Sequence, residues 1–163
     1  MTDFKAIVRV LAEGGVEFVV VGGLAATMHG SARLTYDVDV VYRRTADNMR
    51  RLVLTLTPYH PYLRGAPPGL PFRWDAATLH RGLNFTLTTD IGDLDLLGEI
   101  TGGGDYETLL PQSPGIQVFG IECRCLGLPA LVQVKRAAGR PKDLEAIAEL
   151  EAILEERRQG EGR

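Results

Sequence analysis

One stretch, residues 18–41, constrains the fold more than any other part of the chain. It reads FVVVGGLAATMHGSARLTYDVDVV: an apolar run, a Gly22-Gly23 break, a short helical segment, a turn, and a second apolar run that carries Asp37 and Asp39. Side chains two residues apart on a strand share a face, so these two carboxylates point the same way, with their Cα atoms about 7 Å apart. A divalent cation such as Mg²⁺ would compensate their repulsion. The alternative is a solvated pair at a strand end.

Composition indicates an ordinary globular chain. Its 163 residues are 45% hydrophobic and 24% charged, enough for one domain with a real core. The net charge of −3 argues against a nucleic-acid coat protein, so any nucleic-acid contact requires a local basic patch. The sequence has neither a run of the ~18 apolar residues that span a bilayer nor an apolar signal core. We therefore expect a cytoplasmic protein in which Cys123 and Cys125 are reduced thiols rather than a disulfide or a zinc site.

Hydrophobic periodicity predicts one α/β domain, with helices packed against a mixed β-sheet. The first predicted helix is capped by Thr2. The last predicted helix starts near Pro141, and its core face consists of Leu144, Ile147, Leu150 and Leu154. The predicted strands are 16–21, 37–42, 83–88 and 93–97, and a broken strand over 116–125; the other predicted helices are 24–29, 45–59, 105–110 and 128–138. Prolines mark 58–72 as an irregular loop. The domain is predicted to cover 1–154, before a charged tail, 155–163, that frays.

A third carboxylate stands out in the strand predicted over 93–97. Asp95 lies between Leu94 and Leu96, and a carboxylate buried without a partner is costly. A metal ion shared with Asp37 and Asp39 would supply that partner, and metal sites for phosphoryl transfer generally use more than two carboxylates. Asp93 shares the face of Asp95, but its place after Gly92 favours a solvated turn residue.

Taken in order, Gly22-Gly23, Asp37-Val38-Asp39 and Leu94-Asp95-Leu96 resemble the signature of the DNA polymerase β-like nucleotidyltransferase superfamily. The segment from Val21 to Asp39 is similar to the small bacterial branch that includes AbiEii-toxin-like and minimal nucleotidyltransferases. The segment 135–144 is similar to the one that ends many of these domains. The resemblance covers about residues 16 to 150 and implies a nucleotidyltransferase-type mixed sheet. Many members have Ser where this chain has Gly23, so phosphate contact would fall to backbone N–H groups.

This resemblance implies a metal-dependent enzyme that moves an NMP from an NTP to a hydroxyl group and releases pyrophosphate. Mg²⁺ or Mn²⁺ would be the cofactor. The catalytic and metal-binding residues would be Asp37, Asp39 and Asp95; the nucleotide-binding residues would be Gly22, Gly23, Arg33, Thr35 and Lys135. The acceptor would be tRNA or a protein, with a cognate antitoxin as a possible partner. The alternatives are transfer to a small antibiotic, such as an aminoglycoside or lincosamide, or a degenerate domain that binds nucleotide or a partner.

Several other residues have two interpretations. One basic group comprises Arg136, Arg140 and Lys142. These side chains could contact an RNA acceptor or remain solvated, and solvation is the commoner outcome for a run of charges. His29 could touch a phosphate or pack the turn after the short helix. Trp74 and Tyr59, beside the proline-rich segment, could stack on a base, although core packing is the more usual role.

Overall fold

The structure is a computed structural model that describes residues 1–162. Its helices are α1 (Phe4–Glu13), α2 (Gly22–Met28), α3 (Ala46–Leu56), α4 (Ala76–Arg81), α5 (Tyr106–Leu109), α6 (Leu128–Ala138) and α7 (Pro141–Glu161). Its strands are β1 (Phe18–Val21), β2 (Asp37–Tyr42), β3 (Tyr62–Leu63), β4 (Phe85–Thr89), β5 (Gly92–Leu97), β6 (Glu99–Ile100), β7 (Gly104–Asp105), β8 (Gly115–Val118) and β9 (Ile121–Cys125). Short 3₁₀ turns cover Thr57–Tyr59 and Leu110–Gln112.

Seven of these strands form one mixed sheet in the order β3-β4-β5-β2-β1-β9-β8. The β2–β5 and β1–β9 pairs are parallel, whereas the remaining neighbours are antiparallel. Strand β1 lies inside the sheet and all four of its residues are buried, which explains its uninterrupted apolar sequence. The prediction of a single α/β domain with helices packed on a mixed sheet is confirmed.

The register of the central strands brings the acidic residues together. Asp39 pairs with Asp95 across the parallel β2–β5 contact, and Asp37 pairs with Asp93. On the outer side of β5, Thr86 of β4 pairs with Asp95. Because directly opposed residues on adjacent strands point to the same face, the sheet itself arranges the four carboxylates in two rows of two.

Helix α1 covers part of the sheet with one apolar face. Ile7, Val8 and Leu11 are fully buried, and α1 contacts β2, β5, β9 and α3. Its N-cap is Asp3, whose carboxylate accepts a hydrogen bond from the Ala6 N–H. The predicted cap, Thr2, instead donates its hydroxyl proton to the Tyr36 carbonyl. Thr2 thus fastens the N-terminus to the segment that leads into β2.

The structure corrects several predictions about local structure. The proline-rich segment contains strand β3, which pairs at the edge of the sheet with β4. Tyr62 and Leu63 directly follow Pro61 but keep the backbone N–H groups that proline lacks, so this short stretch can still pair as an edge strand. The predicted broken strand at 116–125 is a hairpin of β8 and β9. Phe119 and Gly120 both have positive φ angles, 54° and 79°, as a tight hairpin turn requires.

The C-terminal helix also differs from its prediction. Helix α7 continues to Glu161, through the region in which the sequence predicted a frayed tail from 155. Its buried positions are Asp143, Ala146, Ile147 and Leu150, whereas Leu144 is 60% exposed. The buried stripe is thus rotated from the predicted one, because Asp143 turns inward against α6. None of the helices within residues 1–162 has the length and hydropathy needed to cross a membrane.

Candidate functional site

Three carboxylates converge on the face of the sheet defined by β2 and β5. One oxygen from each of Asp37, Asp39 and Asp95 lies within 4.8 Å of the others. Such a set of three hard oxygen donors suits Mg²⁺ or Mn²⁺. The structure therefore places all three acids that the sequence singled out at one point, and it adds Asp93, whose neighbour across the strand pair is Asp37.

Asp39 is the carboxylate least well compensated by the protein. Burial, followed by the charges of Asp37 and Asp95, raises its pKa to about 8, and its Oδ1 atom is buried without a hydrogen-bond partner. Burial also raises the pKa of Asp37. An orphaned, buried carboxylate oxygen facing two more carboxylates is the environment that a divalent cation would complete. The residues present therefore fit a metal ion.

Arg64 is the main site residue that the sequence did not reveal. Its Nη2 atom lies 2.9 Å from Asp95 Oδ1, its Nη1 atom 3.4 Å from Asp37 Oδ2, and its Nε atom 3.5 Å from Asp93 Oδ2. Arg64 follows β3 in the segment predicted to be an irregular loop, so no sequence pattern connected it with β5. The sequence indicated a positive charge here only indirectly, because a cluster of carboxylates needs a cation to compensate its charge.

The two glycines before α2 are in close contact with the acidic strand. Gly22 has φ +64°, and a Cβ atom there would lie 2.1 Å from Asp39 Oδ2. At Gly23, a Cβ atom would lie 2.5 Å from the Oγ1 atom of Thr35. Thr35 thus fills the space that a side chain at position 23 would need, which gives a steric reason for glycine at this position.

A cavity of about 580 Å³ opens beside the carboxylates. Its lining includes Gly22 and Gly23, the three acids, Thr35, and a set of basic residues: Arg33, Lys135, Arg140 and Lys142. The site residues predicted from the sequence therefore all line one cavity. Dense positive charge beside a cluster of acids is an arrangement that suits a polyanion bound together with a cation.

Asp143 holds two of these basic residues at the cavity. Its side chain is only 1% exposed, accepts hydrogen bonds from Arg140 N and Nε at 3.1 and 2.7 Å, and lies 3.5 Å from Lys135 Nζ. The hydrogen bond from the Arg140 side chain is the main cause that lowers the pKa of Asp143. Opposite, Arg33 pairs with Glu145 at 3.1 Å.

A second cavity, of about 470 Å³, adjoins the first. The two share six lining residues: Gly22, Asp39, Leu97, Lys135, Arg140 and Asp143. The second has a more apolar wall, formed by Leu97, Ile100, Leu131, Val134 and Ala138, together with the polar side chains of Asn84, Glu99 and Thr101. An apolar wall with a few polar groups is typical of a site for an organic ring.

Other residues with two interpretations lie elsewhere. His29 Nε2 is 2.8 Å from the Leu126 carbonyl, and burial lowers its pKa; it packs the turn. The Trp74 indole donates a hydrogen bond to the Val53 carbonyl at 3.1 Å and packs against the core. Arg136 pairs with Glu151 on α7, and Tyr59 lines neither cavity. Cys123 and Cys125 are buried free thiols.

Comparison with known proteins identifies the architecture. No protein-family model matches the chain, and no curated protein matches it in sequence. Among solved structures, it resembles the lincosamide antibiotic adenylyltransferase LnuA, bound to lincomycin, with a TM-score of 0.61, 16% identity, and coverage of 93% of this chain and 98% of that one. It also resembles ANT(2″)-Ia in complex with adenylyl-2″-tobramycin, with a TM-score of 0.54, 13% identity, and coverage of 94% and 93%.

A third neighbour is an antigenic nucleotidyltransferase-like protein from Paracoccidioides brasiliensis, with a TM-score of 0.52, 16% identity, and coverage of 89% of this chain and 72% of that one. LnuA is named an adenylyltransferase, ANT(2″)-Ia is described with an adenylyl product, and the third protein is named nucleotidyltransferase-like. The likeness extends over 89–94% of this chain. The chain therefore has the nucleotidyltransferase fold.

Proposed function

We propose that the protein is a metal-dependent nucleotidyltransferase that moves an NMP from an NTP to a hydroxyl acceptor and releases pyrophosphate. The observation that carries this proposal is the convergence of Asp37, Asp39 and Asp95 within 4.8 Å beside a cavity lined by four basic residues. The fold of the neighbours supports it. An NTP-dependent activity also agrees with the cytoplasmic location expected from the sequence.

In this proposal, Asp37, Asp39 and Asp95 would hold Mg²⁺ or Mn²⁺, which when bound would neutralise phosphate charge and polarise the α-phosphate. Lys135, Arg33 and the backbone around Gly22 and Gly23 would bind the triphosphate in the basic cavity.

Asp95, the outermost of the three acids in the strand order, would accept the proton of the attacking hydroxyl group. The acceptor oxygen would then bond to the α-phosphorus as the bond to pyrophosphate breaks. Because the second cavity adjoins the basic one and has an apolar wall, it would hold the nucleoside.

The acceptor has two candidates from different classes. A tRNA or protein acceptor, with an antitoxin as partner, is the candidate that follows from the resemblance to AbiEii-toxin-like proteins. Arg136, Arg140 and Lys142 would supply a basic surface for RNA. A small-molecule antibiotic is favoured by a different observation. The chain spans 98% of LnuA and 93% of ANT(2″)-Ia, two proteins described with a small antibiotic or its adenylyl product.

One experiment tests the activity and separates the acceptors. The protein is incubated with Mg²⁺ and each NTP labelled at the α-phosphate, together with total tRNA, cell protein, lincomycin or tobramycin. We expect label in one acceptor class and release of pyrophosphate, both lost on chelation and in the Asp95→Asn variant. Failure to label any acceptor, with no Mg²⁺-dependent binding of NTP, would refute the proposal.

A further inference from the structure

Arg64 is held by the sheet rather than by the acids alone. Its backbone N–H donates to the Thr86 carbonyl at 3.0 Å, which continues the β3–β4 pairing by one residue. Its Nη2 atom donates to the Leu87 carbonyl at 2.7 Å. Since Thr86 pairs with Asp95, the Arg64 side chain extends across β4, over a span of roughly two strand spacings, to reach β5.

The guanidinium group then contacts three of the four clustered carboxylates. It lies 2.9–3.5 Å from Asp37, Asp93 and Asp95, and its own side chain is 26% exposed. Asp39 lies one strand further along the same row, and its Oδ1 atom has no partner. Arg64 thus neutralises the outer part of the cluster and leaves the inner carboxylate uncompensated.

A fixed positive charge at this place opposes a second cation. Coulomb's law makes the repulsion between a unit charge and a dication ~6 Å apart equal to a roughly tenfold loss of affinity, even at the dielectric constant of water. The Leu87 carbonyl and the strand pairing retain the guanidinium, so this repulsion would persist when a metal ion binds. A triphosphate brings several negative charges into the same space and would offset it.

We propose that Arg64 is a resident counter-ion that keeps the three-carboxylate site weak for a divalent cation alone, so that metal and nucleotide are retained together. The inference rests on the proposed function, because it concerns how that same site selects a metal–nucleotide complex over free metal. It assigns Arg64 a positioning and charge-balancing role, and no contact with substrate.

Titration with Mn²⁺, monitored by the electron paramagnetic resonance signal of the free ion, tests the role of Arg64 without an activity assay. We expect Arg64→Gln to bind Mn²⁺ in the absence of nucleotide at least about tenfold more tightly than the wild type. Arg64→Lys keeps the charge and should stay near the wild type. The matched control is Arg73→Gln, an exposed arginine directly after the proline-rich segment that forms no ion pair with the cluster among residues 1–162.

A second measurement uses only the wild-type protein, in case Arg64→Gln does not fold. After correction for the Mn²⁺ that the analogue binds in a protein-free control, a non-hydrolysable NTP analogue should raise the affinity of the wild type for Mn²⁺ by at least about tenfold, because the triphosphate offsets the repulsion by Arg64. Either of two results overturns the role of Arg64. One is equal affinity of the wild type for Mn²⁺ with and without the analogue. The other is an Arg64→Gln variant that folds and binds Mn²⁺ no more tightly than the wild type. Absence of Mn²⁺ binding by the wild type and variants even with the analogue instead overturns the proposed function.

Discussion

The Asp39→Asn variant measures how much the negative charge of Asp39 lowers the folding stability of the metal-free protein. Burial and the neighbouring acids raise the pKa of Asp39 from 3.8 to about 8, so between these values the folded protein binds a proton that the unfolded chain does not. Stability therefore falls as the pH rises through this range. One proton contributes about 1.4 kcal/mol per pH unit, so the metal-free protein should lose about 2 kcal/mol between roughly pH 6 and pH 8.

Asparagine has the shape of the protonated acid but does not ionise. The Asp39→Asn variant should therefore unfold with nearly the same free energy as the wild type at the lower pH and be more stable than it at the higher pH. Urea denaturation with a chelator present, monitored by circular dichroism at both pH values, measures the difference. A pH dependence of equal slope in variant and wild type would show that Asp39 is not the titrating group, and would refute this reasoning.

Mg²⁺ should reverse this pH dependence in the wild type. A divalent cation must displace the Asp39 proton to bind, so the stabilisation by Mg²⁺ should increase as the pH rises through the same range. The gain disappears in Asp39→Asn if Asp39 is a ligand. Melting temperatures with and without Mg²⁺ at the two pH values provide the measurement.

Three further substitutions test other parts of the structure. Gly22→Ala should abolish Mn²⁺ binding and lower the free energy of unfolding by more than about 2 kcal/mol. The new Cβ atom would overlap Asp39, and alanine would also strain the backbone at a positive φ. Gly120→Ala is the control: Gly120 also has a positive φ but lies in open space, so urea denaturation of this variant measures the backbone strain alone. Asp143→Ala should lower NTP affinity and cost about 1–3 kcal/mol of stability, since it leaves two basic side chains without their buried partner; calorimetric titration and thermal melting check both. Asn48→Leu should cost about 2–4 kcal/mol in urea denaturation without changing Mn²⁺ affinity. Asn48 is 1% exposed, and its amide group hydrogen-bonds three partly buried backbone groups of Glu17 and Arg43, which would lose these partners.

The acidic site was predictable because it follows from local alternation. Asp37, Asp39 and Asp95 each stand among apolar residues on a strand, and a period of two is enough to place the first pair on one face. Their meeting also depends on β2 pairing with β5 in register, which the sequence alone did not specify. The resemblance to the superfamily, rather than periodicity, connected the two strands.

The missed features are those that depend on contacts across the chain. Arg64 directly follows an edge strand of two residues, which is too short to show any period, and its partner carboxylates lie on two other strands. Asp143 lies in the first turn of α7, a position that favours an acid in any helix, yet its side chain is buried against Arg140 and Lys135. Both are charged residues whose burial is decided by a partner distant in sequence or on another element, which composition cannot reveal.

The pairing of β2 with β5 has a consequence for how the protein folds. These parallel strands are separated in the chain by α3, β3, α4 and β4, so Asp39 and Asp95 become neighbours only after a large loop has closed. Until then, no pair of adjacent strands brings the three carboxylates together, and a cation has at most the Asp37 and Asp39 side chains of β2 to bind. The metal site would therefore form late in folding, and bound metal should slow unfolding while leaving the folding rate nearly unchanged.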